Sequence, residues 1–320
     1  MLNQRRIQIQ KVKTKFVKGC WLVTIQKMVR MKKIIILIVV AAVLFSCNST
    51  NRRKDKPGNT ITVSIVPQKT FVKKIGGDEF EVNVLIPPGS SPATYTLLPS
   101  QLKEIAKSAV WFRIGYIGFE YAWKEKIEQN NPQMKVVDLS EGLDLISADE
   151  SEGHDHEHPS GIDPHTWMSP ALVKQMAKKI MDELTLLKPE KSEEFKINYL
   201  KFVKEIDLLN VDIRNELKEY AGKKIIVFHP SLAYFARDYH LEQYSLESGG
   251  KEPTPQHMAR VVDMAKKENI KVIYIQNEFD RDHARVFAEE IGGKIIQVAP
   301  LDPSWEENLR TMTHIFIDNF

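Results

Sequence analysis

The chain has 320 residues, 42% of them hydrophobic, which excludes a largely disordered protein and leaves room for two medium domains or one large one. Its formal charge of +3 comes from the N-terminus: residues 1–46 hold ten Lys or Arg and no acid, so the rest has 35 basic against 42 acidic residues, a charge of −7. So acidic a body makes a poor nucleic-acid binder, and no nucleic-acid partner is expected.

In chain order, the first marked feature is "MKKIIILIVVAAVLFSC" at 31–47. Lys32 and Lys33 precede an apolar run at 34–45 that would rise about 18 Å as a helix, short of a bilayer core of about 30 Å. A short apolar run after basic residues is the pattern of a secretory signal, here 31–46. The "LFSC" at 44–47 resembles the lipobox of bacterial lipoproteins, in which the signal is cut before the cysteine and the thiol of Cys47 carries lipid. Phe45 is bulkier than the usual residue there. The alternative is an uncleaved membrane anchor with an incidental cysteine, and either route exports the body. Residues 1–30 do not fit upstream of a signal; they read as an over-extended reading frame, with translation from Met31 and no role for Cys20. With Cys47 lipidated, no thiol remains, so any metal must be held by His, Asp and Glu.

Residues 47–59 are polar with Pro57 and Gly58 and read as a flexible tether. Beyond it, β-branched runs alternate with helical patterns. Strands are expected at 61–66, 81–86, 109–114 and 135–139, and again at 224–228, 241–246, 271–276 and 294–298. Pro99 and Ser100 open one of the helices between them. This alternation predicts an α/β fold: two lobes, 60–188 and 222–320, each with a parallel four-stranded sheet covered on both faces.

Between the lobes, 189–221 has no Gly or Pro after Pro189. Phe195, Tyr199, Phe202, Ile206, Leu209, Ile213, Leu217 and Tyr220 recur every three or four residues, one apolar stripe along a helix. Pro189 suits its first turn and Gly222 its exit. A single rod of about 45 Å would limit how far the lobes can hinge; two shorter helices are the alternative.

The segment "SEGHDHEHPSGIDPHTWMSP", 151–170, holds four histidines. His154, His156 and His158 alternate with acids in a loop, 151–160, that has no apolar face. His165 stands apart between Pro164 and Trp167. A metal-gathering loop followed by a fixed ligand fits this pattern, and so does a solvated loop followed by a core histidine. In an extended chain, alternate residues lie about 6–7 Å apart on one side, close enough for two imidazoles to share an ion loosely.

Four stretches carry a resemblance: "TYTLLPSQLKEIAKS" (94–108), "DPHTW" (163–167), "VFHPSLAYFARDY" (227–239) and "KEPTP" (251–255). In this order and spacing, from about residue 60 to 320, the chain resembles the solute-binding lipoproteins of bacterial zinc/manganese ABC importers. The resemblance implies two (β/α)4 lobes, one rigid linking helix and a metal in the cleft between the lobes. It implies that the metal is Zn²⁺, with Mn²⁺ possible, and that an ABC permease and its ATPase are the partners. The protein is then a monomer anchored by lipid in the periplasm or at the cell surface.

Carried over residue by residue, His165 matches the ligand of the family's DPH motif on the N-terminal lobe. His229, directly after the strand at 224–228, matches the ligand of the C-terminal lobe. Side chains at the carboxyl ends of parallel strands face the ligand crevice. A core role for His165 and a helix-terminal role for His229 are the alternatives. Asp302, in "APLDPSW", matches the family's carboxylate ligand and could equally cap the following helix. Glu278 and Glu247, each after a strand, could complete the shell, hydrogen-bond a ligand histidine or lie on the surface. The family histidine of the N-terminal lobe is absent: its position is Ala93 in "PPGSSPATYTLLPS". That loss should weaken zinc binding or favour harder ions such as Mn²⁺, unless Glu278, Glu247 or a histidine of the 154–158 loop substitutes. His240, His257, His283 and His314 read as ordinary surface or packing residues.

No phosphate-binding G-x-x-x-x-G-K-[ST] loop, G-x-S-x-G elbow or H-E-x-x-H pair occurs. The expected function is binding and delivery of a metal, not catalysis. Two rivals stand: a secreted zinc-dependent hydrolase with an open coordination position, and an adhesin or scaffold that has lost metal transport.

Overall fold

The eight β-branched runs form eight parallel strands in the computed structural model, which describes residues 59–147, 161–247 and 253–320. The signal segment 31–46, Cys47, most of the tether, and His154, His156 and His158 lie outside the described residues. Asp55–Phe320 form one compact unit.

The first half runs β1 (Thr60–Val63), α1 (Val66–Gly76), β2 (Glu81–Val84), α2 (Pro99–Ile105), β3 (Ser108–Arg113), α3 (Gly118–Asn130) and β4 (Lys135–Asp138). Its sheet has the order β2-β1-β3-β4, all parallel. The second half runs β5 (Lys224–Val227), α6 (Ala233–Tyr239), β6 (Glu242–Ser245), α7 (Pro255–Lys267), β7 (Val272–Gln276), α8 (Asp282–Glu290), β8 (Lys294–Val298) and α9 (Trp305–Ile317). It repeats the same order as β6-β5-β7-β8. In such sheets the chain reverses direction of winding beside the first strand, and ligands sit at the carboxyl ends flanking that point. Those flanks are β1/β3 and β5/β7.

The strand expected at 61–66 stops at Val63. Gln68 is the cause: its Oε1 accepts the amides of Ser64 at 2.9 Å and Ile65 at 3.0 Å, and its Nε2 donates to the carbonyl of Phe112. With Pro67 in the first turn, α1 therefore starts at Val66, only two residues separating it from the strand.

Between the halves lie α4 (Pro170–Leu187) and α5 (Ser192–Leu217). The α5 helix has 26 residues, about 39 Å, and 3₁₀ turns at Pro189–Lys191 and Lys218–Tyr220 extend it at both ends. Its apolar stripe is buried at Phe195, Phe202, Ile206, Leu209, Ile213 and Leu217, with Tyr199 and Tyr220 half-buried at the margins. That stripe packs on α1 from the first half, on the neighbouring α4 and on α9 from the second half. Phe71 of α1, Phe202 of α5 and Trp305 of α9 meet as an aromatic cluster, Trp305 lying edge-on to Phe71 at 5.2 Å. One hydrophobic core therefore runs through both halves, and a smaller one lies between α7, α8 and the second sheet. Among the described residues, no helix is long and apolar enough to cross a membrane.

Candidate metal centre

β5 ends at Val227, and two residues later His229 enters a cleft of about 180 Å³ that His165 also lines. Gln276, the last residue of β7, fixes the backbone of His229 from the neighbouring strand. Its Nε2 donates to the His229 carbonyl at 2.6 Å and to Ser231 Oγ at 2.7 Å, and its Oε1 accepts the His229 amide at 3.3 Å. His165 sits just before a 3₁₀ turn, Thr166–Met168. Asp163, fully buried, accepts both the His165 amide at 2.8 Å and its Nδ1 at 3.0 Å.

The two imidazoles meet. Their Nε2 atoms lie 3.2 Å apart and the rings are nearly perpendicular. On the far side of each ring, Nδ1 faces a carboxylate: Asp163 for His165 and Glu247 for His229. A carboxylate accepts, so each Nδ1 carries the proton and each Nε2 presents a lone pair. Two lone pairs facing one another at this distance repel unless a positive charge lies between them. Zinc–nitrogen bonds are about 2.0–2.1 Å, so the 3.2 Å separation admits one ion bound to both atoms with an angle of about 100°, close to tetrahedral. Burial pushes the His165 imidazole below the usual histidine range, opposed by Asp163, which favours the neutral form that a metal ligand requires.

The expectation that the histidines come from opposite lobes needs refinement. The segment carrying His165 follows β4 but is bound largely to the second half. Tyr234 of α6 donates to the Asp163 carbonyl at 2.8 Å. Trp167 donates to the Pro300 carbonyl at 2.9 Å, and Trp305 donates in return to the Trp167 carbonyl at 2.8 Å. Ser169 donates to Asp238 and caps α4 by accepting the Leu172 amide. Asp163 also donates its amide to the Ile146 carbonyl at 3.0 Å, so the segment carrying His165 is bonded to both halves, whereas His229 is held by the second sheet.

The carboxylates divide. Glu247 is buried and hydrogen-bonds His229, one of the roles its position after a strand allowed. Glu278, after β7, lines the cleft half-buried; burial raises its carboxyl above the usual range, and nearby His229 opposes that shift. Among the described residues, no three His, Cys, Asp or Glu side chains are assembled around one point, so Glu278 must turn to join the pair. Asp302 is placed differently from expectation. Pro300 and Leu301 line the cleft but Asp302 does not, and its Oδ1 accepts the Ser304 amide at 2.7 Å in the turn leading to α9. A carboxylate three residues before a helix start finds an amide within reach, and here the local bond wins.

Ala93 does line the cleft, exposed on a loop whose Pro92 carbonyl accepts the Phe119 amide at 3.0 Å. At the position of the family histidine the cleft is therefore lined by a methyl group, with Ser91, Thr94 and Tyr116 beside it. His240, His257, His283 and His314 lie elsewhere: His240 ends α6, His257 bonds the Ser245 carbonyl, His283 stacks on Phe228 and His314 pairs with Glu216. Three contributors had no role assigned from sequence: Asp163, Gln276 and Phe279, the last stacked on His229 at 5.5 Å. Only Asp163 left a local signal, an acid two residues before a histidine.

Residues 61–317 match the family described as zinc-uptake complex component A, periplasmic. A crystal structure of ZnuA superposes with a TM-score of 0.75 at 35% identity, covering 82% of this chain and 99% of that one. The high-affinity zinc uptake system protein ZnuA of Bacillus subtilis is 29% identical over 279 residues, 81% of this chain and 85% of its own length. The zinc-binding lipoprotein AdcA of Streptococcus pneumoniae is 28% identical over 291 residues, 88% of this chain. The chain spans only 57% of the length of that lipoprotein.

Proposed function

Because this chain belongs to the family of zinc-uptake complex component A, we propose that it is the zinc receptor of an ABC importer. It captures Zn²⁺ between His165 and His229 and passes the ion to a membrane permease driven by a separate ATPase. Glu278 turns in as the third ligand. The basic and apolar pattern of 31–46 and the lipobox-like 44–47 support export and lipid anchoring through Cys47. The observation that carries the reading is the pair of facing Nε2 atoms at 3.2 Å, each on a ring whose Nδ1 is held by a carboxylate. Such carboxylate–histidine pairs orient the ring and raise its basicity toward a metal.

Two imidazoles favour zinc, whereas a site richer in carboxylate and water would suit Mn²⁺ better. The continuous core and the α5 rod oppose wide hinge motion. Release therefore proceeds through small shifts of the cleft loops when the permease docks. The protein does no chemistry on the ion; it only binds and surrenders it. Metal analysis of the purified protein, followed by calorimetric titration of Zn²⁺ and Mn²⁺ into the metal-free form, tests this. One zinc per chain, bound more tightly than manganese, is expected; failure to bind either ion overturns the receptor reading.

A further inference from the structure

The α5 helix carries a second apolar stripe, opposite the buried one. Ile197, Leu200, Leu208 and Val211 are 65%, 56%, 53% and 53% exposed. At 3.6 residues per turn they fall within about 80° of the helix circumference, on the face turned away from Phe202 and Leu209. Scattered exposed apolar side chains need no explanation, but four aligned on one face of one helix do. No residue of α5 lines the metal cleft, so this face lies apart from the site. Charges of both signs share it: Glu193, Lys201, Lys204, Asp207 and Arg214 are all exposed. A face that lies on an anionic membrane is rich in cations and poor in acids. Mixed signs fit a protein partner instead.

We propose that two copies of this chain pair through α5, antiparallel, about a twofold axis at Lys204. The spacing commits the stripe to its own copy. Position 204 lies midway between 197 and 211 and midway between 200 and 208. Reversal about it lays Ile197 beside Val211 of the second copy, with Leu200 and the second copy's Leu208 level with one another next to them. Four apolar side chains, two from each chain, thus gather at either end of the contact. Glu193 meets Arg214 of the second copy, twice over. Lys204 meets its own counterpart on the axis, and its flexible stem lets the ammonium reach the Asp207 carboxylates on either side. A parallel pairing would set Lys204, Asp207 and Arg214 each against itself, three like-charge meetings instead of one. The 26-residue helix offers a face about 39 Å long and about 10 Å wide, so pairing buries about 800 Å² in all. That lies at the low end for specific contacts and predicts a weak, reversible dimer with both clefts left open. A monomer, as the resemblance implies, would leave the stripe in water.

Sedimentation equilibrium of the full chain in density-matched nonionic detergent tests this, over concentrations from about 1 μM to about 1 mM. The mass should rise from one chain toward two across that range. Leu208→Asp, and independently Leu200→Asp, should weaken pairing by about tenfold or more, since each sets a charge in the apolar cluster. Glu193→Arg and Arg214→Glu should each weaken it by about fivefold, because like charges then meet at both ends. Combined, the two reversals should restore pairing to within about twofold of wild type. Urea midpoints check that each variant is folded. A wild type that stays single at every concentration overturns the proposal, whatever surface the stripe then meets. Association indifferent to both leucine substitutions overturns it too, because the chains then join elsewhere. A combined charge reversal no tighter than either single one overturns the antiparallel register. None of these outcomes bears on the receptor reading.

Discussion

The two sheets have the same strand order, and each places a hydrogen-bonded polar group at the flank of its first strand, yet they use that place differently. At the ends of β1 and β3, Glu120 is fully buried. It accepts Ser64 Oγ, the amides of Ile114 at 2.8 Å and Gly115 at 2.9 Å, and the Arg113 guanidinium at 3.2 Å. Trp111 donates to Ser64 behind it. Gly115 has φ +118, and a Cβ there would lie 2.5 Å from Ser140 Oγ, so only glycine permits the turn that wraps this carboxylate. Every acceptor of Glu120 faces the protein. At the ends of β5 and β7, the backbone of His229 is clamped by Gln276 and its Nδ1 by Glu247, while Nε2 is left toward the cleft. Position at the crevice is common to both; what separates scaffold from site is whether the last polar atom is satisfied internally.

Substitutions on the two sides should separate accordingly. His229→Ala or His165→Ala should weaken zinc binding by more than the roughly 100-fold that marks the upper range for losing an outer partner, while leaving the metal-free fold intact. Calorimetry and urea denaturation read the two effects. Glu120→Ala should do the reverse. It should lower unfolding free energy by about 3 kcal/mol or more, since two amides lose their acceptor and the Arg113 Nε its buried partner, and cost zinc affinity less than tenfold. Burial pushes the Glu120 carboxyl up to about 7 against the pull of Arg113 and its donors. The folded chain therefore keeps a proton that the unfolded chain has released, and the stability of the wild type relative to Glu120→Gln should fall as pH rises from about 4.5 through 7. Denaturation midpoints across that range check the sign.

Smaller effects sharpen the contrast. Glu247→Ala removes the partner of His229 but not the ligand, and should cost about 10–100-fold in zinc affinity. Asp302→Asn, which retains an oxygen for the Ser304 amide, should leave zinc affinity unchanged within error; a large loss there would return Asp302 to the ligand set.

How much of this was legible in the sequence follows from how local each signal is. The eight strands and the α5 stripe rest on runs of β-branched residues and on spacing of three or four, so they could be read along the chain. β1 ends early because Gln68 bonds Ser64 and Ile65, a side-chain choice that β-propensity does not register. His165 and His229 were found through short motifs, but their meeting depends on contacts between distant positions. The Gln276 clamp reaches across 47 residues and the Trp305–Trp167 bond across 138. Asp302 is the opposite case: its partner is only two residues away, and of the two roles its sequence left open, family ligand or cap, the local bond follows the second.

The central claim is that one ion sits between two imidazoles. The zinc K-edge absorption spectrum of zinc-loaded protein, in buffer free of imidazole, tests it most directly. The account predicts multiple scattering from two imidazole rings with nitrogens at about 2.0–2.1 Å, reduced to one ring in His165→Ala. A spectrum showing only oxygen neighbours and no imidazole scattering would contradict it.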